Sequence, residues 1–137
     1  MRARLTIPLL TLLTLAPAAC SSADERILLN QFFAASRLRD LTALRNVATV
    51  VFEPATDGIV TGFELLDVTV TRASRAQALA EEVSIAAPVR LPDGTTVEKT
   101  FVVTMERGLP DSDPHRSSGW MITAIKAAPA SPSSPRP

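Results

Sequence analysis

Tyrosine is absent from this 137-residue chain, and cysteine, histidine and tryptophan occur once each. With no tyrosine and only His115 as an imidazole, an oxyanion site made of a tyrosine and an acid cannot be assembled. A single histidine offers no convincing Ser-His-Asp arrangement, and no Gly-x-Ser-x-Gly elbow is present. Neither a Walker A loop nor a Gly-x-Gly-x-x-Gly run occurs. The lone cysteine excludes an internal disulfide, so the domain must be stable without one. There is no excess of positive charge: Lys+Arg is 14 and Asp+Glu is 14. The basic residues are scattered rather than striped, which gives no footprint for nucleic acid or for acidic lipid head groups. Internal repeats and heptads are also missing.

Long apolar runs are missing as well, and the one candidate is short. Arg2 and Arg4 precede an uncharged, Leu-rich stretch over residues 5–15, and the small residues Ala16-Pro17-Ala18-Ala19 lead to Cys20. That order is the n-, h- and c-region of a secretory signal. A membrane span needs roughly 20 apolar residues, and Pro8 and Pro17 weaken a spanning helix further. Residues 1–19 are therefore read as a signal peptide. Cys20, placed directly after the small residues, resembles the lipobox of bacterial lipoproteins. The resemblance implies that Cys20 is diacylated and anchors the domain to a lipid membrane, with residues 20–22 as a short tether. The third position before the cysteine, usually Leu in that family, is Pro17 here. The alternative is cleavage after Ala16-Pro17-Ala18, which leaves a secreted or periplasmic protein with a free thiol. Ser21 and Ser22 stand where an Asp often retains such lipoproteins in the inner membrane, which favours the outer membrane and a periplasm-facing domain.

Without Arg2 and Arg4, 12 basic residues face 14 acidic ones, a net charge of −2. Residues 129–137 are Pro/Ser-rich and read as a disordered tail, which leaves one domain over 23–128. Ser22-Ala23-Asp24-Glu25 fits a capping box, and Leu28, Phe32 and Ala35 follow at helical spacing, predicting a helix over 23–38. Asp40 stands as an N-cap before Leu41, Leu44 and Val47, predicting a short second helix over 41–48. Thr49-Val50-Val51-Phe52 reads as a first strand, stopped by Pro54 and Asp57-Gly58. Residues 59–71 read as a strand with a bulge at Leu65-Leu66. Segment 73–82 reads as a strand end, a turn and the start of a long third strand, with a helical turn as the alternative. Val83, Ile85, Ala87, Val89 and Leu91 alternate with polar or small residues, and Pro88 implies an edge position or a local break. Pro92-Asp93-Gly94 marks a hairpin. Val97, Phe101, Val103 and Met105 share the apolar face of the next strand, where Lys99 is the one charge and sits near water. Residues 108–118 form a polar loop, and the last strand runs from 120 to 126.

Helix, short helix, then antiparallel strands is an α+β order. The polar, Gly-containing loop followed by Gly119-Trp120-Met121-Ile122 looks like the last hairpin of NTF2-like proteins, in which a helix packs into a curved antiparallel sheet to form a cone. A cystatin-like sheet wrapped on one helix is the nearest competitor. The resemblance implies a concave pocket between sheet and first helix, with Phe32, Phe52, Phe63, Phe101 and Trp120 as candidate lining. The plainer reading is that these residues fill the core. It also implies a small apolar ligand and a homodimer through the open sheet face.

The remaining reactive groups have structural readings. Asp40 and Asp67 are candidate bases for a small NTF2-like lyase or isomerase, but a helix cap and a solvent-facing strand residue are the simpler roles. Asp111-x-Asp113-x-His115 has too few ligands for a metal site, and Glu81-Glu82 reads as a solvated pair. No metal, no cofactor and no nucleic acid is expected. The leading expectation is an envelope lipoprotein with a non-enzymatic binding or assembly domain. A lyase or isomerase, and a purely structural lipoprotein, are the alternatives.

Overall fold

The computed structural model describes residues 22–72, 79–107 and 119–129. Residues 1–21, 73–78, 108–118 and 130–137 lie outside these, and with them the expected signal peptide with Cys20, the expected polar loop and the expected Pro/Ser-rich tail.

Helix α1 spans Ser22–Leu38, and α2 spans Leu41–Val47. Leu28, Leu29, Phe32, Phe33 and Ala35 of α1 are all buried, the stripe that the spacing predicts, while Arg26, Gln31 and Arg37 are exposed. The helix ends in a Schellman turn: Asp40 N–H donates to Ala35 O at 3.0 Å and Arg39 N–H to Ser36 O at 3.1 Å. Arg39 then carries the left-handed φ of 53° that glycine adopts most readily. Arg39→Gly is accordingly expected to stabilise the fold by about 0.5–1 kcal/mol, the left-handed penalty being partly offset by a more flexible unfolded chain. A urea midpoint no higher than wild type would refute this. Asp40 caps α2 as expected, its Oδ1 accepting from Ala43 N–H at 3.0 Å, and Leu44 and Val47 are buried.

The sheet is antiparallel and strongly curved, with the two helices packed on it. Its strands are β1 (Ile59–Val60), β2 (Glu64–Arg72), β3 (Leu79–Arg90), β4 (Thr96–Arg107) and β5 (Trp120–Ala127). β3 is central: β4 lies on one side, β1 and β2 succeed each other on the other, and β5 lies outside β4. Pairing aligns Val70, Glu81, Met105 and Ile122 in one row, and Val68, Val83, Val103 and Ile125 in the next. The buried positions Val83, Ile85, Ala87 and Val89 of β3, and Phe101, Val103 and Met105 of β4, follow the two-residue period of the pleat. The register shift between Leu65 and Asp67 is the anticipated bulge, and it leaves Leu66 exposed. Pro88 sits in the gap between the β1 and β2 pairings, since β1 ends against Val89 and β2 begins against Ala86. A missing N–H is tolerated at such a break. The β3–β4 hairpin closes through Leu91 N–H to Thr95 O at 2.8 Å. Asp93 accepts from both Thr95 N–H and its hydroxyl, which holds that exposed carboxylate below its ordinary range.

Two expectations need correction. Residues 49–52 are not a strand. Only Ala48 bridges to Ile122, with Thr49 N–H donating to Ile122 O at 2.9 Å. The chain then leaves the edge of β5, because the Ser36 hydroxyl takes the Phe52 carbonyl and the Phe52 ring enters the core. Residues 59–71 are two pieces of strand rather than one. The break at 61–63 turns Phe63 toward Phe33, their ring centroids 6.0 Å apart. Arg37 fastens β1 to α1 by donating to Val60 O at 2.9 Å.

Candidate functional site

The side of the sheet under α1, where the resemblance implies a pocket, holds a cluster of the chain's own aromatic rings. Phe33 meets Phe32 at 5.2 Å, Phe52 at 5.5 Å and Phe63 at 6.0 Å between centroids, and Phe52 reaches Phe101 at 5.8 Å. Most of these pairs are edge-to-face, the arrangement the ring quadrupole favours. Phe32, Phe52 and Phe101 are buried within this cluster, and Phe63 is half-buried beside it. Trp120 is separate from the rings: half-buried, it borders a narrow crevice with Asp24, Glu25, Leu28 and Met105. The sequence did not single out Phe33, yet it touches three other rings; its place next to Phe32 on the apolar stripe was the available signal.

Among the described residues, two cavities lie at the surface on either side of Phe52. One cavity of about 200 Å³ is bordered by Ser36, Arg39, Leu41, Leu44, Val51 and Pro54. The other, about 230 Å³, is bordered by Thr56, Asp57, Lys99, Phe101 and Ile125. Lys99 is half-buried on the inward face at this mouth, so its stem lies on apolar surface as expected. Asp57 is engaged locally, accepting from Glu53 N–H at 2.7 Å.

The two candidate bases hold structural positions. Asp40 caps α2, and Asp67 is exposed and accepts from the Thr69 hydroxyl at 3.0 Å; neither borders the cavities described above. Among the described residues no group of three or more His, Cys, Asp or Glu side chains is placed to hold a metal ion. Asp111, Asp113 and His115 lie outside them, as does Cys20. No helix among the described residues is long and apolar enough to cross a membrane.

One chemically distinctive constellation escaped the sequence reading. Glu81 is not a solvated partner of Glu82. It stands half-buried on the inward face, where its carboxyl hydrogen-bonds that of Glu25 from the first turn of α1, while Glu82 is exposed on the other face. Glu25 is 6 % exposed. Oε2 of each residue is buried without a hydrogen-bond partner. Burial raises the pKa of Glu81 first, and the hydrogen bond to Glu25 and the charge of Glu25 raise it further. Parity was the missed signal. Glu81 is in phase with Val83, Ile85, Ala87 and Val89, and Glu25 lies three and four residues before Leu28 and Leu29. No known family, curated protein or solved structure matches the chain.

Proposed function

We propose that this is an exported lipoprotein of the cell envelope whose α+β domain, NTF2-like in form, works as a non-enzymatic binding or assembly module. The observation that carries the reading is the aromatic cluster: the space under α1 that a substrate would occupy is already filled by phenylalanine rings. Binding therefore falls to the surface. A small apolar ligand suits the shallow cavities beside Phe52, and a protein partner or a second copy suits the sheet's outer face, to which the half-buried Ser84, Ala86, Val102, Thr104 and Thr123 belong. A helix laid on a curved antiparallel sheet supports the NTF2-like assignment over a cystatin-like one through the short second helix, α2, which packs beside α1 and β5. The lyase or isomerase alternative loses support because Asp40 and Asp67 are exposed and locally engaged.

Anchoring is supported by sequence position: Cys20 precedes the first residue of α1, Ser22, by two places. An acylated Cys20 holds the N-terminal end of α1 against the bilayer, in an outer membrane by the Ser21-Ser22 criterion. Metabolic labelling with a fatty acid is expected to mark the wild type and to leave Cys20→Ala unmarked, with the variant recovered in the soluble fraction. An unlabelled wild type released in soluble form overturns the lipoprotein reading and leaves a secreted one.

A further inference from the structure

Buried polar atoms without partners are uncommon, and each asks for a physical reason. Here two stand together. Glu25 and Glu81 meet where the first turn of α1 lies over β3, each with Oε2 buried and unsatisfied. Two ionised carboxylates in contact repel, so one proton held between them is what makes the contact favourable. Among the described residues the surroundings offer no other remedy. Across the row, Glu81 is flanked by Val70, Met105 and Ile122. From α1, Asp24 borders the same crevice and adds negative charge, and Arg26 is exposed. From β3, Glu82 faces away; from β4, Glu106 is on the opposite face and exposed Arg107 lies one row further, paired with Leu79 and Trp120. No cation among the described residues counts among the influences on Glu81.

We propose that Glu25 and Glu81 form an acid-closed latch: a shared proton fastens the first turn of α1 to the sheet, and its loss parts the two carboxylates and opens the crevice over Leu28, Met105 and Trp120. The direction of the pH dependence follows from the raised pKa of Glu81. A carboxyl that binds its proton more tightly in the folded than in the unfolded chain contributes stability below the unfolded pKa. That contribution is lost as pH rises through the folded value. The window therefore begins at the ordinary carboxyl range and extends above it. The latch stands independently of whether Cys20 is acylated.

Trp120, the chain's only tryptophan, borders the crevice and reports on it directly. In the full chain purified in detergent, raising the pH from about 4.5 to about 7.5 is expected to shift Trp120 emission to the red and to lower the thermal midpoint. Glu81→Gln supplies a permanent donor to Glu25. It is expected to remove both trends and to raise the midpoint at neutral pH by about 4–8 °C, the shift that about 1 kcal/mol produces in a domain of this size. Glu25→Gln is expected to behave alike, through the reciprocal hydrogen bond. Wild-type and Glu81→Gln profiles that run parallel would overturn the latch. So would stabilisation of the wild type, but not of Glu81→Gln, by calcium or magnesium, which would make the pair a cation site instead.

Discussion

Phe52→Ala is expected to cost about 3–5 kcal/mol, the range for deleting a large buried aromatic, although Phe52 belongs to no helix or strand. Its ring is the joint between two parts of the core. It meets Phe32 at 6.4 Å and Phe33 at 5.5 Å on α1, and Phe101 at 5.8 Å on β4. Removing it leaves a void bounded by three other rings, two of which are held on a helix and cannot collapse inward without shifting α1. Residues 49–57 would keep the Ser36 hydroxyl's bond to the carbonyl of residue 52 but lose the ring that seats them in the core. Two cavities flank this ring, so part of the void opens to water, and the loss belongs at the lower half of the range if solvent enters. Phe63→Ala provides the comparison: Phe63 is half-buried and touches only Phe33 among the rings, so about half that loss is expected. Urea denaturation of both variants measures the difference. Equal losses would mean that Phe52 is no more central than a residue at the cluster's border.

The parts of this fold that were legible in the sequence are those governed by short periods. Leu28, Phe32 and Ala35 give α1 within one residue, Asp40 gives the start of α2, and the alternation from Val83 to Val89 and from Phe101 to Met105 gives the two long strands. Pro92-Asp93-Gly94 gives the hairpin between them. What the periods could not reveal was competition between distant groups. Val50-Val51-Phe52 has strand composition, but a strand there would have to pair along β5, and the buried hydroxyl of Ser36 takes the Phe52 carbonyl instead. The same holds for the carboxyl pair. Each glutamate was in phase with an apolar face, yet charge suggested solvent, and only the crossing of α1 over β3 brings the two together. Aromatic content was read as a candidate pocket lining or as core filling; four of those rings contact one another or Phe33, and Phe52 and Phe101 also border surface cavities.

Gly58→Ala is expected to destabilise by about 3–5 kcal/mol, more than any ordinary glycine substitution, because two costs coincide. The first is conformational: φ is +93° at Gly58, where an L-residue pays about 1–2 kcal/mol. The second is steric. A Cβ here would lie 2.6 Å from Val89 Cγ1 and 2.8 Å from Arg90 O. Val89 is fully buried, and Arg90 is paired on both sides, with Ile59 of β1 and Thr96 of β4, so neither the side chain nor the carbonyl can give way. Relief must come from β1, which is two residues long and has little pairing to lose. Its departure would expose Val60 and break the hydrogen bond from Arg37 that ties it to α1. Gly94 separates the two costs. Its φ is +90°, but nothing lies within 4 Å of where a Cβ would stand, so Gly94→Ala should show the conformational cost alone, about 1–2 kcal/mol. The difference between the two variants in a urea titration is then the cost of the close approach between residue 58 and the central strand. If the two losses agree to within about 0.5 kcal/mol, the packing of β1 against Val89 and Arg90 is looser than the structure has it.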